Sequence, residues 1–159
     1  MNKDYQRLIQ WTQSNDKKLF KTTEKLKSQK RLDSAIHSAH NKAFREIDCL
    51  ECGNCCKTTG PLLLSSDIAR ISKKLKIAES AFVSKYLRLD EEGDHVFKNM
   101  PCPFLGEANL CSIYEFRPKA CREFPHTNQS GQLDIMHLTR KNAKICPAVS
   151  RIFQIISEL

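Results

Sequence analysis

The chain has 159 residues, 40% of them hydrophobic, and a formal net charge of +8; this fits one small domain whose modest core calls for a staple such as a metal ion. No run of 18 apolar residues occurs, so no membrane span is expected, and the polar start Met1-Asn-Lys-Asp-Tyr-Gln-Arg lacks the apolar stretch of a secretory signal, which points to the reducing cytoplasm. Residues 1–48 supply +5 of the charge and residues 49–159 the other +3, a balance that leaves room for counter-charge to an anionic centre.

Residues 1–52 contain neither Gly nor Pro and are rich in Lys, Glu, Gln, Leu and Ala, which predicts helix. One unbroken helix would run roughly 70 Å at ~1.5 Å per residue, so a break is expected at Ser14-Asn15-Asp16, residues that favour caps and turns. The next helix carries apolar positions at Leu19, Leu26, Leu32, Ile36, Ala39, Ala43 and Ile47, a stripe that is patchy at first and better from Leu32 onward. Residues 1–45 therefore read as a basic helical arm, solvated and detached from the rest, or offering a face to a protein partner; too few large apolar residues line one side for membrane binding.

Beyond the first cysteines, Gly60-Pro61-Leu62-Leu63-Leu64 suits a strand, Ser65-Ser66-Asp67 an N-cap, and Ile68, Ile71 and Leu75 a helix. A second helix is expected over 79–87 with Phe82, Val83 and Tyr86 on one face, then a turn at Asp90-Glu91-Glu92-Gly93-Asp94 and a short strand over 95–98. Cys102 lies between Pro101 and Pro103 and must be non-helical. Gly106 and Asn109 mark a turn, Ser112 to Glu115 has capping-box spacing, and Pro118 opens a turn carrying Cys121. Leu133, Ile135 and Leu138 suggest a strand. The tail, 147–159, reads as an amphipathic helix with Val149, Ile152, Phe153, Ile156 and Leu159 on one face. The fold class is α+β: a small, helix-rich, metal-stapled domain over 46–159 with short strands and hairpins, preceded by the arm.

The chemistry lies in eight cysteines: Cys49, Cys52, Cys55, Cys56, Cys102, Cys111, Cys121 and Cys146. C-x2-C-x2-C spacing lets a tight loop turn its sulfurs toward one centre, with Gly53 easing the bend. It matches the first three ligands of bacterial four-iron clusters, whose remaining ligand is remote and followed by Pro, as at Cys102-Pro103 and Cys146-Pro147. Paired C-x2-C elements equally serve structural zinc. Adjacent side chains diverge unless the backbone is helical or sharply bent, so Cys55 and Cys56 are expected to serve neighbouring centres or one polynuclear centre. Eight thiols divide into two sets of four, and the spacing leaves their grouping open. Two tetrathiolate centres, each carrying roughly −2, would bring the protein to about +4.

These residues resemble the CxxCxxCC cysteine-cluster family, the YkgJ-type zinc- or iron-chelating domain. The cluster at Cys49, Cys52, Cys55 and Cys56 is followed by Cys-Pro-Phe-Leu at 102–105, Cys111-Ser-Ile-Tyr114, Arg117-Pro118-Lys-Ala-Cys121-Arg122, Phe124-Pro125 and a late Cys146. Residues 62–89 also look like the family's apolar strand followed by an Asp-containing helix. The resemblance covers about 46–150 and implies metal chelation. A flagellin lysine methylase carries a similar domain, but this chain lacks the length of such an enzyme, and methylase activity is not transferred.

Beside the sulfurs, Arg117, Arg122, Lys119 and Lys57 are expected to balance thiolate charge and donate hydrogen bonds to sulfur; Arg117 has the alternative of binding a carboxylate or phosphate. Tyr114 either packs or bonds a ligand. Of the histidines, His126 and His137 are the candidate substitutes for a cysteine ligand, His37 and His40 share a solvated helix face, and His95 belongs to the surface. No G-x-S-x-G, P-loop, G-x-G-x-x-G or H-E-x-x-H occurs, so no catalytic motif points to an enzyme, and the question of activity stays open at the sequence. Three functions follow: an iron–sulfur protein, a four-iron cluster favoured, for electron transfer or redox sensing; a structural Zn2+ module for protein or nucleic-acid interaction; and metal delivery or storage. Nucleic acid is the weaker partner, since basic residues are not interleaved with aromatics.

Overall fold

The computed structural model describes residues 2–26 and 28–158, and the fold they form is α+β, mostly helical with a small three-stranded antiparallel sheet. The chain divides into two compact units, Met1–Cys52 with Pro125–Leu159, and Gly53–Phe124.

In the first unit, α1 (Lys3–Ser14) starts where the Asn2 side chain accepts the Tyr5 amide at 2.9 Å. It stops at Asn15, whose amide and side chain both donate to the Trp11 carbonyl, and α2 (Asp16–Lys25) follows. The break thus falls where Ser14-Asn15-Asp16 placed it. A second break was not foreseen: Ser28 caps α3 (Gln29–Glu46) by accepting the Arg31 amide, so a polar hydroxyl starts a new helix inside what reads as one pattern. Leu32, Ile36, Ala39 and Ala43 of α3 are buried against Ile152 and Ile156 of the last helix, α10 (Pro147–Ser157). The N-terminal helices are therefore seated on a core and not solvated as an arm; α10 supplies the apolar face that their own stripe lacks. Val149, Ile152, Phe153 and Ile156 are buried as the tail pattern implied, while Leu159 lies outside the described residues.

The expected strand through Leu133, Ile135 and Leu138 is absent from the described residues. The Asp33 carboxylate of α3 accepts the Gly131 and Gln132 amides at 3.1 and 2.9 Å, which pins a turn. The Asp134 and Ile135 amides then close on the Gly131 carbonyl, and the chain enters the helix α9 (Met136–Ala143), which takes in Leu138 and His137. The same loop corrects the reading of His37 and His40 as solvated. His37 Nε2 lies 2.9 Å from the Gln129 carbonyl, and His40 Nδ1 lies 2.8 Å from Oγ1 of the buried Thr127.

In the second unit, β1 (Leu62–Leu63), β2 (Leu87–Leu89) and β3 (His95–Phe97) form a sheet in the order β1-β3-β2, with Val96 opposite both Leu62 and Arg88. The Asp90 carboxylate accepts the Glu92 and Asp94 amides and shapes the β2–β3 turn. Residue 87, expected as the end of a helix, instead opens β2 after Tyr86. Between β1 and β2 lie α6 (Ser65–Leu75) and α7 (Glu79–Tyr86). Leu64, one residue ahead of the expected Ser65-Ser66-Asp67 cap, takes the cap position of α6, and the Asp67 carboxylate accepts its amide at 3.1 Å. Leu63, Ile68, Ile71, Phe82, Leu87, Phe97, Phe104 and Ile113 form the core. The Phe104 ring sits 5.2 to 6.3 Å from those of Tyr86, Phe97 and Phe82, so the loop that carries Cys102 is anchored by an aromatic cluster.

Ile36→Ala in the first unit is expected to cost about 2–5 kcal/mol, whereas Leu133→Ala, at a side chain 47% exposed, is expected to change stability by less than about 0.5 kcal/mol. Urea unfolding of the two variants checks this; a comparable loss at Leu133 would contradict the turn assignment.

Candidate metal centre

The cysteine cluster is carried by two single-turn helices, α4 (Cys49–Cys52) in the first unit and α5 (Asn54–Thr58) in the second. Gly53 caps α5 with φ +56°, a conformation glycine adopts without strain, and a Cβ there would lie 2.7 Å from Asn109 Cγ. Among the described residues no disulfide joins two cysteines.

In the first unit, Cys49 and Cys52 stand three residues apart on α4, one helical turn, and so share a face. Cys49 is exposed and Cys52 buried. The turn is held by Asp48, which accepts the Leu50 amide at 2.8 Å on its carboxylate and the Cys52 amide on its carbonyl. The buried Tyr5 hydroxyl accepts the Asp48 amide at 3.1 Å and donates to Glu51 at 3.2 Å, so α1 braces the turn. Cys146 caps α10. Burial pushes its thiol up to about 12, neighbouring Cys49 and Cys52 push the same way, and the amides of Val149 and Ala148 oppose them.

In the second unit, Cys55 and Cys56 are neighbours on α5 with sulfurs 3.9 Å apart. Neighbours on a helix are rotated by about 100°, so the two sulfurs touch at the junction of adjacent faces of α5. Contact with Cys55, then the positive charges of Arg117 and Lys57, lower Cys56 to about 7 against the opposing effect of burial. The Cys102 amide donates to the Cys56 carbonyl at 2.8 Å, which ties the 102 loop to α5. Cys102 is raised to about 11, by burial first, with Cys56 and Cys111 adding and the amides of Phe104 and Leu105 opposing. Cys111 pairs with Leu105 in a one-residue antiparallel bridge, and burial raises it too. The capping box expected over residues 112–115 does not form: Ser112 Oγ donates to the Phe104 carbonyl, and a 3-10 turn runs Tyr114–Phe116. Cys121 lies on α8 (Lys119–Glu123), which opens after Pro118 as expected. Burial first, with Cys56, Cys102 and Cys111 adding and Arg117 opposing, raises Cys121 to about 12.

Arg117 is the cation common to this group, lowering Cys56, Cys111 and Cys121 alike. Its guanidinium lies 3.5 Å over the Tyr114 ring, and its buried Nε has no hydrogen-bond partner among the described residues. A buried N–H without an acceptor is costly. Arg122 differs: it donates to the Arg117 carbonyl at 2.7 Å. Lys119 pairs with Glu123 at the surface. His137 is exposed on α9, His126 occupies a φ +67° turn, and His95 is half-buried in β3. Among the described residues no group of three His, Cys, Asp or Glu side chains is arranged to hold a metal ion. The donors themselves are soft thiols backed by cations and amides, a set that fits zinc or iron.

Two further residues escaped the sequence reading. Asp67, 1% exposed, accepts the Leu64 and Lys119 amides and the Arg70 guanidinium, and Arg70 also reaches the Arg117 carbonyl. In the sequence Asp67 reads as part of a helix cap, and Arg70 carries no sign beyond its spacing of three from Asp67 on α6.

Short turns that present thiols from a small helix-rich scaffold define a cysteine-cluster chelating domain. A family model described as CxxCxxCC, "putative zinc- or iron-chelating domain", matches residues 48–147, and the chain belongs to that family. No curated protein and no solved structure matches it. No helix among the described residues is long and apolar enough to cross a membrane.

Thiols raised above their ordinary 9.0 favour the protonated form in the folded state. That contribution to stability is complete below the unfolded-state value and is lost as pH rises through the folded values. Metal-free, reduced protein is therefore expected to lose stability from about pH 9 upward, and Cys121→Ser to flatten the fall. Urea midpoints across this range check it; a midpoint that rises with pH would contradict it.

Proposed function

We propose that the protein is a thiolate metalloprotein in which Cys56, Cys102, Cys111 and Cys121 of the second unit form one ligand group, beside Cys55 in contact with Cys56, and Cys49, Cys52 and Cys146 of the first unit form another. The observation that carries the reading is geometric: the Cys102 amide ties its loop to the Cys56 carbonyl at 2.8 Å, and Arg117, four residues before Cys121, has a buried Nε–H without an acceptor among the described residues. The chelating domain is taken as 46–159, with residues 1–45 packed through α3 against its α10.

Of the two metals, iron in a four-iron cluster is the favoured occupant. C-x2-C-x2-C spacing and the prolines after Cys102 and Cys146 support it. Such a cluster supplies one-electron redox chemistry, so the role is electron transfer or redox sensing. At the sulfurs of the second unit the surrounding residues would act electrostatically: Arg117 and Lys57 would favour the ionised form, and Tyr114 covers the guanidinium. Eight thiols suit a reducing compartment, the cytoplasm.

Zinc as a structural staple is the second reading. Cys102 and Cys111 pack against the aromatic core, so a metal joining them to Cys56 and Cys121 would fasten the loops to that core. Metal and sulfide analysis with an absorption spectrum, on anaerobically purified protein, separates the two. Iron with equimolar sulfide and sulfur-to-iron charge-transfer bands are expected; colourless, fully folded protein with stoichiometric zinc would overturn the iron–sulfur reading. Cys121→Ser and Cys52→Ser are each expected to lower the metal content by about half or more, read by elemental analysis; unchanged content in both would remove these residues from the ligand set.

A further inference from the structure

Among the described residues Asp67 is the one carboxylate in the buried class, at 1% exposure. It carries no sulfur and lies on α6, away in sequence from every cysteine. A buried carboxylate is costly unless its oxygens are satisfied. Asp67 meets that condition with three donors: the Leu64 amide at 3.1 Å, the Lys119 amide at 3.1 Å and Arg70 Nη2 at 2.6 Å. The first caps its own helix. The second fastens the first residue of α8, 52 positions later.

Arg70 extends the same clasp. From its pairing with Asp67 its Nη2 also reaches the Arg117 carbonyl at 2.8 Å and the Phe116 carbonyl at 3.4 Å. The two side chains thus grip the backbone of residues 116–119 at both ends. This stretch leads from the 3-10 turn into α8, and it carries Arg117, while Cys121 follows two residues later. Capping α6 needs only one acceptor, which an exposed Ser or Asn would provide. The ion pair, buried on its Asp67 side and half-buried on its Arg70 side, does more: it holds the backbone from which the cation and one thiol of the second unit project.

We propose that Asp67 and Arg70 are positioning residues for the thiolate centre of the second unit. They fix the segment from which Arg117 and Cys121 project and touch no ligand themselves. The proposal rests on the assignment of Cys56, Cys102, Cys111 and Cys121 as ligands. Outer groups of this kind change metal affinity by about 10–100-fold when removed.

The test uses the full chain titrated with cobalt(II), comparing wild type with Arg70→Met, Arg70→Lys, Asp67→Asn and Cys121→Ser. The readouts are the thiolate-to-cobalt bands, the rate of cobalt loss to EDTA and the helical circular dichroism. Arg70→Met is expected to keep its helical signal, to show altered bands and to lose part of its cobalt about tenfold faster. Asp67→Asn is expected to follow it, and Arg70→Lys, which keeps the ion pair, to recover part of the effect. Wild-type bands and rates in both Arg70→Met and Asp67→Asn would overturn the proposal. So would unfolding of all three brace variants without metal, because the pair would then hold the fold and not the site. A wild type without thiolate-to-cobalt bands, or a Cys121→Ser protein indistinguishable from it, would instead bring down the ligand assignment and the proposal with it.

Discussion

Sulfur binds a metal as thiolate, yet burial keeps a thiol protonated, and this opposition governs the second unit and much of the first. Cys121 and Cys146 are pushed up to about 12 and Cys102 to about 11, chiefly by burial. Crowding of like groups adds to the effect, because each ionised neighbour opposes the next. Cys56, lowered to about 7 by Cys55 and the cations Arg117 and Lys57, is poised to ionise near neutral pH. A divalent or cluster-bound cation at these thiols would resolve the conflict by supplying the missing positive charge, with protons released as it binds. The basic balance of the chain has part of its explanation here. Arg117 and Lys57 act on the sulfurs, while Arg7, Arg140 and Arg151 are paired with carboxylates elsewhere.

The scaffold answers the problem with small pieces held from outside. A helix of four or five residues is marginal alone, so α4, α5 and α8 need external fastening. Asp48 and the buried Tyr5 hydroxyl hold α4; the Cys102 amide grips the carbonyl of Cys56 on α5; Asp67 receives the first amide of α8. Phe104 anchors the loop between Cys102 and Cys111 in an aromatic core. The two units keep separate cores: α3 with α10 in one, and the three-stranded sheet with α6 and α7 in the other.

Local chemistry made much of this readable from the sequence. Asn15 ends a helix, Pro118 starts one, Gly53 sits where φ is positive, and the tail pattern buries Val149, Ile152, Phe153 and Ile156. What escaped depended on distant partners. Leu133 and Ile135 alternate like a strand, but the Asp33 carboxylate, about a hundred residues earlier in the chain, folds that stretch into a turn. His37 and His40 read as a solvent face until Gln129 and Thr127 are placed against them. The helical stripe of α3 looked thin because the missing half is contributed by α10. At the site, cysteine spacing indicated metal chemistry, and membership of the chelating family agrees with it. Asp67 gave no comparable sign, since nothing in Ser-Ser-Asp distinguishes a helix cap from a buried clasp.

The central claim is that the metal is surrounded by cysteine sulfur. X-ray absorption at the metal edge of the anaerobically isolated protein tests it most directly. The account predicts a first shell of sulfur at about 2.3 Å, with an iron–iron shell beyond it if the occupant is a cluster. A first shell of nitrogen and oxygen at about 2.0–2.2 Å would contradict it.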